Sequence, residues 1–193
     1  MKYADDFESF FSAVTTFTSA DAKMFLVKNG ASEDYVKLFL HTLKAKGKIN
    51  RLARGVYTYS DSIDVVGFAF SPFYYGLGYA MTLHGIWSQM ANPTIITTTK
   101  ALPGTRKIMG ENVLIKRISS AMFFGYEYIF KNNIYVPVST PEKVLIDTLY
   151  YGIKLNAEDL RALVNSVKIE KLSMYERLCE PRLFKRAKAL VPL

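Results

Sequence analysis

Cationic side chains are concentrated between residues 35 and 60, a window that contains neither Asp nor Glu. Lysine and arginine donate charge-assisted hydrogen bonds to phosphate oxygens, and a surface of one sign attracts polyanions. The pattern therefore indicates nucleic-acid binding, and the alternative is an ordinary solvated basic face. Residues 32–46 are predicted to form a helix, and polar residues at its start would add contacts to base edges or phosphates. The candidate DNA-binding residues are Ser32, Tyr35, Lys37, His41, Lys44, Lys46, Lys48, Arg51 and Arg54.

A helix must position the first of these side chains. Apolar residues recur at helical spacing here and predict one buried stripe. The stripe consists of Val36, Phe39, Leu40 and Leu43. Ser32 is the expected N-cap, and Gly47 is the expected stop. Lys37, His41 and Lys44 fall opposite the stripe, so we expect them to be exposed together.

The segment after this helix has the pattern of a β-hairpin. Two short strands, Lys48–Leu52 and Val56–Tyr59, flank a predicted three-residue loop, Ala53-Arg54-Gly55. Gly55 supplies the left-handed conformation that such a loop needs. Arg51 and the loop arginine would then lie beside the exposed face of the helix. A helix followed by a basic hairpin is how a winged helix-turn-helix ends, with the recognition helix before the wing.

Two further helices are predicted before this unit. The first runs from Asp5 to Val14, and its expected inward residues are Phe7, Phe10, Phe11 and Val14. The second runs from Ser19 to Lys28, with Thr18 as N-cap and Asp21 completing a capping box. The order helix, helix, turn, helix, hairpin predicts an N-terminal winged helix-turn-helix domain over residues 1–60.

The remaining residues, 61–193, have the pattern of an α+β domain. A helix is predicted over Phe73–Ile86, and another begins at Thr140-Pro141. The predicted strands include Thr94–Thr99, Val113–Ile118, Phe123–Phe130 and Ile134–Val138. Pro137 predicts a sheet edge or a strand end. The expected fold class is therefore α+β, an N-terminal winged helix-turn-helix followed by a C-terminal domain with a small β-sheet and several helices.

The amino-acid composition indicates which kind of partner the protein binds and in which cellular compartment it resides. The 193-residue chain carries a formal net charge of +8, which favours polyanionic partners. Its one cysteine, Cys179, fits a reducing cytosol and predicts a cytoplasmic protein. The acidic N-terminal segment is wrong for a signal peptide, and no convincing membrane span is present.

Residues of the types that act in catalysis or bind metals do not form a recognisable motif in the sequence. His41 and His84 are the only histidines, and neither belongs to a zinc-ligand spacing. Asp147 is interpreted as a helix carboxylate bonded to backbone or to a basic side chain, and Cys179 as a buried thiol. The aromatic run FFGYEYIF is interpreted as core packing, with base stacking as the alternative. We therefore expect no catalytic residues, no cofactor and no metal.

Three segments occur in a characteristic order: the hairpin KGKINRLARGVY, the helix YYGLGYAMTLHGI followed by a β-branched strand, and VPVSTPEKVLIDTLYYG. This set resembles the AbiEi-type antitoxins of type IV toxin–antitoxin systems over nearly the whole chain. The resemblance implies an N-terminal winged helix that binds inverted repeats in its own promoter. It implies a C-terminal domain that helps to oppose a nucleotidyltransferase-like toxin without a stable complex. The winged-helix positions it implies are Lys37, His41, Lys44, Lys48, Arg51 and Arg54.

The main hypothesis is a DNA-binding transcriptional regulator, an autorepressing antitoxin that is not an enzyme. It would bind double-stranded DNA at an inverted repeat, either as a dimer or as paired monomers. One alternative is a nucleotidyltransferase or nuclease targeted by the winged helix, which needs an acidic metal-binding constellation. The other is a winged-helix module that contacts a protein partner instead of DNA.

Overall fold

The computed structural model of the chain describes residues 2–191, which fold as a mixture of helices and strands. The predicted α+β class is therefore confirmed. Backbone contacts divide the chain into two compact units. One unit comprises Met1–Ala69 with Lys107–Glu111, and the other comprises Phe70–Arg106 with Asn112–Leu193.

The first unit contains three α-helices, a small antiparallel sheet and most of a 3-10 helix, Ile63–Phe70, among its described residues. The helices are α1 (Ala4–Phe11), α2 (Ser19–Lys28) and α3 (Glu33–Ala45). The strands are β1 (Phe17–Thr18), β2 (Asn50–Ala53) and β3 (Val56–Thr58), with β3 in the centre of the sheet.

The stripe predicted on α3 supplies much of the core of this unit. All four stripe residues are buried, and they join a cluster that includes Phe7, Phe11 and Leu26. The capping box on α2 is present, with Thr18 and Asp21 exchanging hydrogen bonds. The prediction for α1 is wrong in part, because the helix ends at Phe11 and leaves Phe10 and Val14 exposed.

The hairpin is shorter than predicted and is tied to the body of the unit. Ala53 pairs with Val56, so its loop has two residues instead of three, and a bulge lies between Arg51 and Ala53. Gly55 has the predicted left-handed backbone, with φ of 74°. Its carbonyl accepts a hydrogen bond from the Ser19 N–H over 2.8 Å, which links the hairpin loop to the start of α2.

The second sheet orders its strands β6-β7-β5-β4-β9-β8. These strands are β4 (Phe73–Tyr75), β5 (Thr94–Thr97), β6 (Gly104–Ile108), β7 (Glu111–Arg117), β8 (Tyr126–Lys131) and β9 (Ile134–Ser139). The β4–β9 and β5–β7 pairs are parallel, whereas β4–β5 and β8–β9 are antiparallel. Because parallel pairs need long connections, short-range sequence signals could not predict this order.

The second unit also contains five α-helices among its described residues. They are α4 (Leu77–Leu83), α5 (Pro141–Tyr150), α6 (Ala157–Asn165), α7 (Ile169–Met174) and α8 (Pro181–Leu190). The predicted start of α5 is confirmed, because the Thr140 side chain accepts a hydrogen bond from the Lys143 N–H and Pro141 occupies the first turn. Across residues 2–191, every helix falls short of the length and apolar character that crossing a bilayer requires.

Three predictions for this part of the chain are wrong. The segment Phe73–Tyr75 is a buried strand and not the start of a helix, because its consecutive aromatic residues fit a sheet that is covered on both faces. Pro137 lies inside the sheet, in β9 between β8 and β4. Strands β4 and β9 pair at a single residue pair, Tyr75 with Val138, so the missing N–H of Pro137 costs few hydrogen bonds between them.

The run 123–130 does not lie wholly in the core, because Tyr128 and Phe130 project from the edge strand β8 and are exposed.

Candidate nucleic-acid interface

Burial of one face of α3 fixes which side chains its other face exposes. The stripe turns inward against α1 and α2, so residues on the opposite side of the helix point to solvent. Lys37, His41 and Lys44 are all exposed, as their spacing predicts. The helix ends at Ala45 with Lys46 as its C-cap, and Gly47 takes a left-handed conformation with φ of 69°.

The hairpin holds two arginines at its surface. Arg51 lies in β2, where its Nε donates a hydrogen bond to the Ala53 carbonyl over 3.1 Å. Arg54 is an exposed residue of the two-residue loop. At the base of the hairpin, Asn50 donates from its side-chain amide to the Ser60 carbonyl at 3.2 Å. These bonds brace the hairpin internally, and the pairing of β3 with β1 joins it to the rest of the unit, so its arginines are held on a defined support.

An open groove of about 740 Å³ lies between α3, the hairpin and the start of α2, and we call it the helix–hairpin groove. Five of the nine predicted DNA-binding residues line it: Lys37, His41, Lys44, Arg51 and Arg54. The structure thus gathers side chains from a helix and from a hairpin into one concave surface. Ser19, Ala20, Lys23 and Tyr57 also line the groove and were not predicted.

The missed residues come from elements that are distant in the sequence. Lys23 belongs to α2, and the start of that helix is brought to the hairpin by the pairing of β1 with β3 and by the bond between Ser19 and Gly55. Including α2, the helix that precedes α3, in the candidate surface would have suggested Lys23. A search restricted to the cationic window could not find it.

The charge in the helix–hairpin groove is predominantly positive but uneven. Among the described residues that line it, cations come from α2, α3 and the hairpin, whereas the two carboxylates are Glu33 and Asp34 at the start of α3. Glu33 forms an ion pair with Lys23 over 2.6 Å. One end of the groove is therefore nearly neutral, and the end with Lys44, Arg51 and Arg54 is cationic.

Four predicted residues lie outside the helix–hairpin groove. Ser32 is the N-cap of α3, although its side chain makes no capping hydrogen bond. Tyr35 packs on the core side, with its ring 5.8 Å from that of Phe39. Lys48 pairs with Glu8 at 3.6 Å, and Lys46 is exposed at the end of α3. The structure therefore does not group these four with the five groove residues, and their part in binding stays a prediction.

A second polar cluster is buried in the other unit. The Lys143 ammonium group pairs with Asp147 one helical turn later on α5, and both side chains are fully buried. The Tyr74 hydroxyl donates to the other oxygen of Asp147 over 3.0 Å. The rings of Phe124 and Tyr74 lie 4.8 and 5.5 Å from the ammonium nitrogen. The interpretation of Asp147 as a helix carboxylate bound to a basic side chain is thus confirmed.

Burial dominates the electrostatics of this cluster. It raises the pKa of Asp147 to about 6, against the opposing effects of Lys143 and Tyr74. It also lowers the pKa of Lys143, and the nearby Asp147 carboxylate opposes that shift. Because none of the three side chains reaches solvent, the cluster supports the second unit internally and offers no surface to a ligand.

Cys179 and His84, the other residues with reactive side chains considered above, belong neither to the helix–hairpin groove nor to the buried Lys143–Asp147 cluster. Cys179 is buried, as predicted, and burial raises the pKa of its thiol. His84 caps the end of α4, and its Nε2 lies 2.8 Å from the Ser139 carbonyl. Across residues 2–191, no three or more His, Cys, Asp or Glu side chains form a group that could hold a metal ion.

No protein-family model and no curated protein matches the chain. Among solved structures, the chain is similar to the crystal structure of RV2827C protein from Mycobacterium tuberculosis. The TM-score is 0.59 at 13% sequence identity, over 100% of this chain and 83% of that chain. At this identity the similarity concerns the fold alone, so the resemblance to AbiEi-type antitoxins stays a prediction.

Proposed function

We propose that the protein is a DNA-binding transcriptional regulator whose first unit is a winged helix-turn-helix. In this proposal α3 is the recognition helix, and β2 and β3 with their loop form the wing. The observation that carries it is the helix–hairpin groove, in which five cationic or imidazole side chains predicted for DNA binding share one concave surface. An α-helix fits the major groove of B-form DNA, and a hairpin beside it can reach the flanking backbone.

The uneven charge of the groove suggests how the duplex lies on it. Lys44, Arg51 and Arg54 form the cationic end and are suited to phosphate contacts. Glu33 and Asp34 lie at the start of α3, where they offset the charges of nearby lysines and phosphates gain little attraction. A carboxylate accepts hydrogen bonds from the amino group of cytosine, so this end would face base edges in the major groove. In this orientation the wing and the end of α3 bind the backbone while the start of α3 reads sequence.

The second part of the proposal concerns biological role. From its resemblance to AbiEi-type antitoxins, we propose that the protein is a cytoplasmic, autorepressing antitoxin. It would bind inverted repeats in its own promoter and oppose a nucleotidyltransferase-like toxin without forming a stable complex with it.

A gel shift with the intergenic DNA upstream of the gene tests the proposal. We expect a shifted complex that resists excess unrelated duplex, with an affinity that falls linearly on a logarithmic salt scale. Binding that is absent at low salt would contradict DNA recognition. If the adjacent reading frame encodes the toxin, its expression should arrest growth, and co-expression of this protein should restore growth.

A further inference from the structure

An apolar groove of about 550 Å³ lies on the first unit, lined by the end of α1, the segment after it and one face of α2. We call it the α1–α2 groove. Three of its apolar side chains are exposed: Phe10 at 58%, Val14 at 43% and Met24 at 73%. Exposed apolar residues are ordinary when they are scattered, but a contiguous set marks an interaction site.

The face of α2 in this groove has a self-complementary pattern. Asp21, Met24, Phe25 and Lys28 occur at helical spacing and all line the groove. An acidic residue stands at one end of this face, a basic residue at the other, and apolar residues lie between them. When two such helices pack antiparallel about a twofold axis between Met24 and Phe25, each Asp21 faces Lys28 of the second copy. The same axis brings the two apolar centres together.

We propose that the α1–α2 groove is the interface through which two copies of this chain form a twofold-symmetric dimer. The charges argue for a second copy over another partner, because the same patch supplies both signs at symmetry-related positions. Asp21 remains able to pair, since its capping bonds with Thr18 use Oδ2 and a carboxylate carries a second oxygen. Phe10 and Val14 extend the apolar area beyond the helix face.

The proposed dimer leaves the helix–hairpin groove open. The α2 residues that line that groove are Ser19, Ala20 and Lys23, whereas those in the α1–α2 groove lie on another face of the helix. A twofold dimer of this kind presents two helix–hairpin grooves, as an inverted repeat requires. The interface itself does not depend on DNA binding, so its test is independent of the proposed function.

Sedimentation of the full chain tests this interface. We expect the wild-type protein to show the mass of two copies at micromolar concentrations. The exposed substitution Met24→Lys should raise the dimer dissociation constant at least about a hundredfold, because it removes buried apolar area and brings two like charges together across the axis. Leu38→Lys is the matched control, since Leu38 is 60% exposed on α3 and lines neither groove. We expect it to leave the mass unchanged.

A cysteine placed beside the axis gives a second readout. Under mild oxidation, Met24→Cys should form a covalent dimer, and Leu38→Cys should not. Native Cys179 is buried, so it contributes little background. A wild-type protein that is monomeric at every concentration would overturn the interface, as would a dimer that Met24→Lys does not weaken. If that monomer still shifts the upstream DNA, only the dimer is rejected and the proposed function stands.

Discussion

Simultaneous replacement of Lys44, Arg51 and Arg54 by alanine is expected to weaken binding to the upstream DNA by roughly a hundredfold. Each lost phosphate contact removes about 1 kcal/mol, and about 1.4 kcal/mol corresponds to a factor of ten. The loss should be similar for specific and unrelated duplexes, because phosphate contacts carry no sequence information. The slope of log affinity against log salt should flatten by about three units. Gel shifts at several salt concentrations measure both effects.

A charge-matched control separates the groove from net charge. Replacing Lys100, Lys107 and Lys154 by alanine removes the same charge from exposed positions that do not line the helix–hairpin groove and are not predicted to bind DNA. We expect this variant to lose less than about fivefold in affinity, through weakened long-range attraction alone. Equal losses in the two triple variants would mean that the groove has no special role. Both sets are exposed, so circular dichroism should report unchanged folding.

The largest expected effect on stability comes from Asp147→Asn. This change leaves the Lys143 ammonium group fully buried without its counter-charge, while an acceptor for the Tyr74 hydroxyl is kept. Removing one partner of a buried ion pair costs about 3 to 5 kcal/mol. We therefore expect the thermal or urea transition of the second unit to move to markedly milder conditions. A change below about 1 kcal/mol would contradict a buried, ionised pair.

Two further measurements test the electrostatic origin of that loss. The double variant Lys143→Met with Asp147→Asn removes both charges and should recover much of the stability, because the cost of desolvating the two charges disappears with them.

The pH dependence of the free energy of unfolding gives the second test. The pKa of Asp147 is raised to about 6 in the folded protein, against about 3.9 when unfolded. The folded wild type therefore gains stability as pH falls through this interval, once the buried carboxyl is neutral. The asparagine of the variant cannot titrate, so the variant lacks this gain, and the cost of Asp147→Asn should be larger at about pH 4.5 than at about pH 7.5.

Local signals predicted the elements of the first unit well. The α3 stripe, its stop at Gly47 and the left-handed Gly55 each depend on residues within a few positions of one another. The face of Lys37, His41 and Lys44 followed from helical periodicity alone. The groove could not be predicted in full, because the contribution of α2 depends on the pairing of β1 with β3 and on the bond between Ser19 and Gly55, which join segments far apart in the chain.

The second unit shows where short-range patterns fail. Phe73–Tyr75 lies within a predicted helix and yet forms a buried strand, since its neighbours in the sheet come from β5 and β9. The aromatic residues of β8 were assigned to the core by their hydrophobicity, but strand alternation at a sheet edge exposes Tyr128 and Phe130. Sheet order is set by long-range pairing, and no local pattern specifies it.

Lysine footprinting in the presence and absence of the upstream duplex tests most directly whether DNA occupies the helix–hairpin groove. An amine-reactive label is applied to the full chain, and modification at each lysine is read by mass spectrometry. We predict that DNA protects Lys37 and Lys44 strongly, whereas Lys154, an exposed lysine of the second unit, keeps its reactivity. Unchanged labelling of Lys37 and Lys44 under conditions where the duplex is fully bound would contradict the proposed interface.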